Sequence, residues 1–270
     1  MEMQFGQLYY RGMLRRLLIV CLFLPWSVNG AEAVAPAYVL QLPESIHTVL
    51  IAETAAAALH RYTVDDGNLV IGDTQRMSIG QNGVGKVRSG DRRTPLGIYF
   101  VVEELDTSNL HEKYGPVAFP LDYPNAWDDV RRRSGYGIWI HGVTPGSGTR
   151  PERDTDGCIA LPNEELLSLK PYLAPLQIPV IVTRELQTSS VQQMKETRQL
   201  LLTALEDWAD SFRSGDWHRY LSMYAEDFVY RGMDRDEWIA YRLKTAGTRK
   251  IEDYSVHDVL LLADPEEDNL

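Results

Sequence analysis

The stretch GIWIHGVTPGSGTRPERDTDGCIALPNEELL, residues 137–167, decides how the whole sequence is interpreted. Alternating apolar residues end at His141, a pattern typical of a half-buried strand that runs out into a loop. The following loop is rich in Gly, Pro, Arg and Asp, and it closes at Gly157-Cys158 before a second short apolar segment. A histidine and a cysteine at opposite ends of one loop can meet in space. Catalysis by a thiol requires such a pair.

Short strands are predicted on both sides of this stretch, because segments rich in Val, Ile, Leu and Tyr alternate with turn residues. The tetrad DDGN at residues 65–68 predicts a hairpin turn. Asn163 is expected to cap a helix that runs to about Lys170. The predicted strands are residues 38–42, 48–52, 57–64, 69–79, 96–103 and 178–182. We therefore expect a mostly β catalytic domain with short helices over residues 34–185.

Residues 106–134 carry several aromatic and proline residues without a regular hydrophobic period. A long irregular segment over a β scaffold is commonly a lid or a wall of a substrate site, but such segments also occur as packed surface loops. The sequence leaves both interpretations open.

The pattern changes near residues 186–190, where a polar segment precedes long amphipathic helices, and this change predicts a domain boundary. Asp216 is expected to cap a second helix, and Asp234 with Glu237 resembles a capping box for a third. Short strands are predicted at residues 228–231 and 251–263. The second predicted domain therefore covers residues 190–270.

The first 33 residues have the features of a secretory signal peptide. Three arginines precede the apolar run of residues 17–24, and small residues follow up to Ala33. An uncleaved N-terminal anchor is the alternative, although the apolar run is short for a membrane span. Lipid attachment at Cys21 is disfavoured, since Val20 is larger than the small residue expected before a lipidated cysteine. We expect a protein secreted across the inner membrane into the periplasm.

The composition is that of a folded protein, with 270 residues of which 44% are hydrophobic. The formal net charge is −11 and no long Lys/Arg run offsets it, which disfavours a partner with a phosphate backbone. The densest basic cluster, residues 131–133, is interpreted first as a solvated loop face. The sequence thus predicts no nucleic-acid partner, no membrane contact other than an uncleaved signal segment, and no particular oligomeric state.

Removal of the signal segment would leave Cys158 as the single cysteine. One thiol in an exported protein cannot form an internal disulfide, so it is an inert buried residue, an intermolecular bridge or a reactive nucleophile. Its neighbours in the sequence favour the nucleophile. We predict that His141 takes the thiol proton and stabilises the resulting thiolate.

The glycines of the central stretch suit two supporting roles. The carbonyl group of Gly142 is placed to orient the imidazole of His141 without a carboxylate. The backbone amides of Gly157 and Cys158 are expected to donate hydrogen bonds to the oxyanion of a tetrahedral intermediate. Gly157 suits this role because a residue without Cβ lets a substrate approach the backbone.

Two other kinds of site are disfavoured. The glycine-rich segment 80–86 is followed by a predicted strand and lacks a Gly-Lys-Ser/Thr sequence, so it does not resemble a phosphate-binding loop. A zinc site built from His141, Cys158 and the aspartates between them fits no common ligand spacing. We therefore expect no metal.

Two motifs, in this order along the chain, resemble the L,D-transpeptidase (YkuD-type) catalytic domain family. The first is TPLGIY at residues 94–99, which is similar to the family's TPxGxY/F segment. The second is His141-Gly142, the loop, and TDGCIALPN at residues 155–163. The resemblance covers about residues 38–183 and implies a β-sandwich of the YkuD type.

The resemblance implies that the substrates are peptidoglycan stem peptides and that no cofactor is needed. Cys158 would attack the L-centre carbonyl of the third stem residue, usually diaminopimelate, and release the terminal D-alanine from a thioester acyl-enzyme. Resolution by an amine would form a 3→3 cross-link, which is the leading prediction, whereas resolution by water would make the enzyme an L,D-carboxypeptidase. A weakly catalytic protein that binds the cell wall is a third alternative.

The sequence departs from the usual family pattern at two positions. Most members of the family have His or Arg where Asp156 stands, and Arg where Ala160 stands. The two missing cations leave open which group binds a substrate carboxylate. The candidates are Arg150, Arg153 and the cluster at residues 131–133.

The C-terminal segment, by its order of elements and its aromatic helix faces, resembles the opening of an NTF2-like (SnoaL-like) α+β domain. Such domains normally close with further long strands, which this sequence lacks, so the predicted copy is incomplete. Relaxed catalytic motifs together with such a tail resemble the cell-shape-determining branch of the family, whose known activity is that of a carboxypeptidase.

Overall fold

The computed structural model describes residues 34–147, 150–173, 178–246 and 255–266. The predicted signal segment, residues 1–33, lies outside this part of the chain. The strands in the described part are β1 (Val34–Pro36), β2 (Val39–Gln41), β3 (Thr48–Glu53), β4 (Ala58–Asp65), β5 (Asn68–Arg76), β6 (Ile79–Gly80), β7 (Gly97–Phe100), β8 (Leu105–Asp106), β9 (Val117–Pro120), β10 (Trp139–His141), β11 (Arg153–Thr155), β12 (Ile159–Ala160), β13 (Pro179–Thr183), β14 (Thr188–Ser190) and β15 (Leu261–Leu262). The helices are α1 (Ala126–Val130), α2 (Asn163–Leu169), α3 (Val191–Ser214), α4 (Trp217–Ser222) and α5 (Arg235–Ala246).

A five-stranded mixed sheet in the order β5-β4-β3-β13-β7 forms the larger layer of the fold. The central strand β13 runs parallel to β3 and antiparallel to β7. Both central strands are buried along almost their whole length, which explains their continuous apolar sequence, because a strand covered on both faces has no solvent side to alternate. The predicted hairpin turn is present, since Asp65 pairs with Asn68 where β4 leads into β5.

A four-stranded sheet in the order β12-β10-β9-β8 forms the second layer. The main hydrophobic core joins this sheet, the larger sheet and α2, so the fold is a sandwich with a helix at one side. Core residues from the three elements include Leu50, Ala52, Val180, Phe119, Ile140 and Leu166. The mostly β fold predicted from the sequence is confirmed.

The opposite face of the larger sheet is also covered. Alternate residues of its central strands, such as Val49 and Ile181, pack in a second cluster with Tyr38, Val39 and Leu262. The hydroxyl group of Tyr38 donates to the backbone oxygen of Glu185, which ties the first strands to the end of the sandwich.

Residues 106–134 are more regular than the sequence predicts. They contain β9, which pairs with β10 and β8, and the short helix α1. The four residues of β9 end at Pro120, and a strand this short leaves no measurable periodicity in a single sequence. This segment therefore supplies a strand next to β10 instead of a separate irregular loop.

The C-terminal helices agree with their predicted caps. The side chain of Asp216 accepts a hydrogen bond from the Arg219 amide at the start of α4. Asp234 and Glu237 form the reciprocal bonds of a capping box at the start of α5. Aromatic rings of α3 and α4 pack together, among them Trp208, Phe212 and Tyr220. α5 contacts these rings through Arg242, whose guanidinium group lies over Phe212 and Tyr220.

Two predicted C-terminal strands are wrong in extent. Residues 228–231 form only an isolated bridge between Tyr230 and Met233. In the predicted strand 251–263, residues 251–254 lie outside the described part, and the rest is strand only in β15. Apolar content alone overestimates strand length where few neighbours are available for pairing.

The chain after the predicted boundary near residues 186–190 makes strand pairs with the N-terminal part. β14 pairs with β1, and β15 pairs with β2. The boundary itself and the NTF2-like identity of the tail stay predictions. No helix in the described ranges is both long and apolar enough to cross a membrane.

We predict that Leu50→Ala, in the centre of β3, lowers the free energy of unfolding by about 2–5 kcal/mol, because it leaves a cavity in the main core. Urea unfolding followed by circular dichroism measures this change. The matched control is Leu200→Ala in α3, where the leucine is 67% exposed, and its effect should stay within about 0.5 kcal/mol. Equal effects of the two substitutions would contradict the assigned core.

Candidate active site

The parallel pairing of β10 with β12 places His141 and Cys158 on the same face of a sheet. Ile140 is opposite Ile159 and His141 is opposite Ala160, so this register continued by one residue places Cys158 beside Trp139. Side chains two residues apart on a strand point to the same face. His141 and Cys158 therefore lie on one face of two neighbouring strands.

The imidazole of His141 is held by its own chain. Its Nδ1 atom lies 2.6 Å from the backbone oxygen of Gly142. Because a carbonyl oxygen only accepts hydrogen bonds, we assign the proton of the neutral ring to Nδ1, which leaves Nε2 as the acceptor. The ring of Tyr114 packs edge-on against the imidazole at a centroid distance of 5.2 Å. A backbone carbonyl group thus fixes the orientation of the imidazole in this structure.

The thiol of Cys158 lies in a similarly enclosed position. Its Sγ atom is 3.4 Å from the backbone oxygen of Gly137, to which it donates a weak hydrogen bond. Burial raises the pKa of the Cys158 thiol to about 11, although the backbone amide of Trp139 acts in the opposite direction. Burial also lowers the pKa of His141 to about 4, against a smaller effect of the Gly142 carbonyl. At neutral pH both groups are therefore uncharged.

Both glycines of the predicted site meet strict steric requirements. A Cβ atom at Gly142 would overlap Oδ1 of Asn163 and lie 3.0 Å from Cδ of Pro116. Gly157 has a φ of +127°, and its Cβ would lie 2.7 Å from the backbone oxygen of Arg93. A larger residue at Gly142 would require the Asn163 side chain to move, whereas one at Gly157 would require movement of the backbone.

The amide of Gly157 is already occupied in this state. It donates to Oγ1 of Thr155 at 3.1 Å, and this hydroxyl group donates in turn to the backbone oxygen of Cys158 at 2.7 Å. The turn that presents the thiol is therefore closed by one threonine side chain. The role of Gly157 as an oxyanion donor stays a prediction.

Asn163 does not cap α2, contrary to the sequence prediction. Pro162 occupies the N-cap position and makes no side-chain cap bond. Instead, the Asn163 amide group accepts from the backbone nitrogen of Val143 at 2.8 Å and donates to the oxygen of the same residue at 3.0 Å. These two bonds fix the chain that leaves His141, a tertiary contact that outweighs the local capping preference.

The predicted substrate-binding arginines are mostly committed to other contacts. Arg150 donates from Nε to the Asp154 carboxylate at 2.8 Å and from a terminal nitrogen to the Asp154 backbone oxygen at 2.7 Å. Arg153 is exposed on β11. In the cluster at residues 131–133, the first and last arginines both bind Glu266. This cluster thus has a structural contact with the C-terminal segment and is not only a solvated face.

Two cations that sequence analysis missed lie beside the turn at Gly157-Cys158. Nζ of Lys113 is 3.7 Å from Oδ2 of Asp156, and Nε of Arg92 is 3.8 Å from Oδ1 of the same residue. They come from segments far apart in sequence, so no local pattern reveals them. In the described part of the chain, no group of three or more His, Cys, Asp or Glu side chains is placed to hold a metal ion.

A β-sandwich with a histidine and a cysteine on neighbouring strands carries the two groups that acyl transfer by a thiol requires. The family model of the L,D-transpeptidase catalytic domain, YkuD, matches residues 48–182, half of the chain. The chain belongs to this family. Among curated protein sequences, none matches.

Solved structures with the same fold include two bacterial proteins. The helical cell shape determining protein Pgp2 from Campylobacter jejuni has a TM-score of 0.71 and 24% identity, over 83% of this chain and 77% of that chain. Bd1075 from Bdellovibrio bacteriovorus has a TM-score of 0.66 and 24% identity, over 80% of this chain and 77% of that chain. The likeness extends well beyond the catalytic domain.

We predict that the free energy of unfolding rises with pH between about 4 and 6.5, because the unfolded chain takes up a proton at His141 in this range and the folded protein does not. The contribution of this residue is about 3 kcal/mol at neutral pH and is lost as the pH falls through about 4.

Urea unfolding at a series of pH values measures this dependence in the parent protein and in His141→Asn. The slope assigned to His141 should be absent in the variant and retained in His218→Asn, where the histidine is exposed. An unchanged slope in His141→Asn would refute the assignment of a buried neutral imidazole.

Proposed function

We propose that this chain is an exported cysteine enzyme that modifies peptidoglycan by cleaving the L,D bond before the terminal D-alanine of tetrapeptide stems. The observation that supports it most directly is the orientation of His141, with Nδ1 on the Gly142 carbonyl, on the sheet face that also carries Cys158. The family match supports the choice of peptidoglycan as the substrate.

In the proposed first step, Nε2 of His141 takes the proton from Sγ of Cys158. The thiolate attacks the carbonyl carbon of the third stem residue, and a carbon–sulfur bond forms while the carbonyl oxygen becomes an oxyanion. Collapse of this intermediate breaks the carbon–nitrogen bond. His141 returns the proton to the departing amine, so D-alanine leaves and a thioester remains on Cys158.

The backbone at the thiol supplies the donors for the oxyanion. Of the two amides expected in this role, that of Gly157 is bound to Thr155 before substrate arrives. We therefore assign the Cys158 amide as the first donor and the Gly157 amide as a second that joins when the Thr155 hydroxyl rotates away. Removal of one such donor typically costs a factor of about 10²–10³ in rate.

Because Cys158 and His141 are both uncharged in the free protein, we infer that the thiol is activated only when substrate binds. A buried thiol with a pKa near 11 and an imidazole with a pKa near 4 do not exchange a proton in the free protein. Proton transfer becomes favourable when a bound substrate carbonyl accepts the charge of the thiolate as it forms. The proposed proton transfer and nucleophilic attack are thus coupled in one step.

The thioester has two possible fates. Attack by the amine of another stem forms a 3→3 cross-link, and this L,D-transpeptidase outcome is the proposed activity. Attack by water trims the tetrapeptide to a tripeptide, which is the carboxypeptidase alternative, and the departures from the family pattern at Asp156 and Ala160 leave the acceptor open. A weakly catalytic wall-binding protein is the second alternative.

We also propose that the protein acts outside the cytoplasm and influences cell shape. The support for a role in cell shape is the similarity of fold to Pgp2, which determines helical cell shape in its own organism. Residues 34–185 would form the catalytic domain, and residues 190–270 an incomplete NTF2-like domain that contacts other molecules.

The test is incubation of the protein with purified tetrapeptide muropeptides, with products separated by chromatography and weighed by mass spectrometry. We expect release of D-alanine together with 3→3 dimers, or with tripeptides if water is the acceptor. Cys158→Ala should abolish the reaction, because the described part of the chain contains no other cysteine that could act as the nucleophile.

His141→Asn should lower kcat by at least about 10²-fold, since the thiol loses its proton acceptor. His218→Asn, a substitution of an exposed histidine, serves as the control for fold and preparation. Products that form equally in Cys158→Ala would refute the proposed enzyme, and binding without any product would favour the wall-binding alternative.

A further inference from the structure

Asp156 stands between two cations immediately before the Gly157-Cys158 turn. Lys113 approaches one carboxylate oxygen and Arg92 the other, at 3.7 and 3.8 Å. All three side chains are between 42% and 65% exposed, so the cluster faces solvent next to the Gly157-Cys158 turn. The family usually has a cation at this position. In this chain the position is acidic, and two cations from other segments lie beside it.

The segment that carries Lys113 is fixed to the strand of His141. The backbone oxygen of Tyr114 accepts a hydrogen bond from the Gly142 amide at 3.0 Å, and the Tyr114 ring packs on the imidazole. Gly115 and Gly142 lie so close that a Cβ atom at Gly115 would come within 2.7 Å of Cα of Gly142. Lys113 therefore has a defined position relative to the proposed base.

The segment that carries Arg92 is fixed to the turn of Cys158. The backbone oxygen of the next residue, Arg93, packs directly against Gly157. Asp91 holds this loop through Lys86, whose buried ammonium group lies 2.8 Å from the carboxylate. Burial would raise the pKa of Asp91, but bonds from three backbone amides and Lys86 lower it to about 2, so this carboxylate is charged at neutral pH.

The two cations are held loosely by Asp156. Charge-assisted hydrogen bonds normally measure about 2.7–2.9 Å, and both contacts are about 1 Å longer. Exposed ion pairs of this kind contribute little stability. Lys113 and Arg92 thus keep hydrogen-bonding capacity for another anion that enters between them.

The chemistry of the proposed reaction brings such an anion to this place. The carboxylate of a C-terminal D-amino acid follows the scissile bond by only two further bonds, so its carbon lies at most about 4 Å from the attacked carbonyl carbon. A substrate aligned on Cys158 must therefore place this carboxylate near the thiol. The positive charge of Lys113 acts on both Cys158 and His141. Burial is the larger effect at each residue: it raises the pKa of Cys158, which Lys113 lowers, and it lowers the pKa of His141, which Lys113 lowers further.

We propose that Lys113 and Arg92 form the subsite for the free carboxylate of the departing C-terminal D-amino acid, and that Asp156 competes for the same two cations until the substrate displaces it. This inference rests on the proposed function. It assigns to two segments outside the catalytic stretch the role for which sequence analysis considered Arg150, Arg153 and residues 131–133.

The test compares two tetrapeptide ligands that differ only at the C-terminus, one with a free D-alanine carboxylate and one with D-alaninamide. Binding is measured by calorimetry in the Cys158→Ala protein, where no turnover occurs. Turnover of both peptides is measured in the protein with its thiol. The variants are Lys113→Met and Asp156→Asn, with Arg88→Met as the control that removes an exposed cation from the loop of Arg92.

We expect the free acid to bind at least about tenfold more tightly than the amide. Lys113→Met should remove most of this preference by weakening the free acid alone, with KM raised about tenfold and kcat changed less. Asp156→Asn should strengthen binding of the free acid several-fold, because a competing carboxylate is removed. If the ion cluster were only structural, Asp156→Asn would weaken binding of the free acid. Arg88→Met should bind both peptides as tightly as the parent protein does.

Equal binding of the two peptides, no binding of either, or an equal loss of both in Lys113→Met would overturn the subsite. These results are independent of the proposed function, which fails only if no turnover depends on Cys158. A preference for the free acid in a protein without turnover would leave the subsite standing and refute the enzyme.

Discussion

The parallel pairing of residues 139–141 with residues 159–160 is the contact on which the proposed site depends. The loop between these strands leaves the sheet at His141 and returns at Cys158, so the two chemical groups reach the same face only in this register. A shift by one residue would turn the thiol to the opposite face. The register is secured on one side by β9, which pairs with β10, and on the other by the bridge of Ser78 to Ala160.

Burial of both groups determines how such a site can operate. A thiolate and an imidazolium would each lose their hydration at this depth, which explains why the resting pair is neutral. Catalytic power must therefore come from donors and cations that act once a substrate has entered. In the proposed mechanism the backbone amides of the Gly157-Cys158 turn provide the donors, and the exposed cations beside Asp156 lie next to this turn.

Features of this molecule that depend on local chemistry could be predicted from the sequence. The strand that ends at His141, the turn at residues 65–68 and the caps at Asp216 and Asp234 are all determined by residues within a few positions of each other. The role of Asn163 could not be predicted, because its partner is the backbone of Val143, twenty residues away. Lys113 and Arg92 were missed for the same reason, since only the folded chain brings them to Asp156.

The central claim is that Cys158 forms a thioester with the stem peptide, and mass spectrometry of the acid-quenched protein tests it most directly. After brief incubation with a tetrapeptide, the peptide fragment that contains Cys158 should carry the mass of the tripeptide acyl group, and hydroxylamine should remove it. Release of D-alanine without any acyl group on Cys158, or an acyl group found on another residue, would contradict the account.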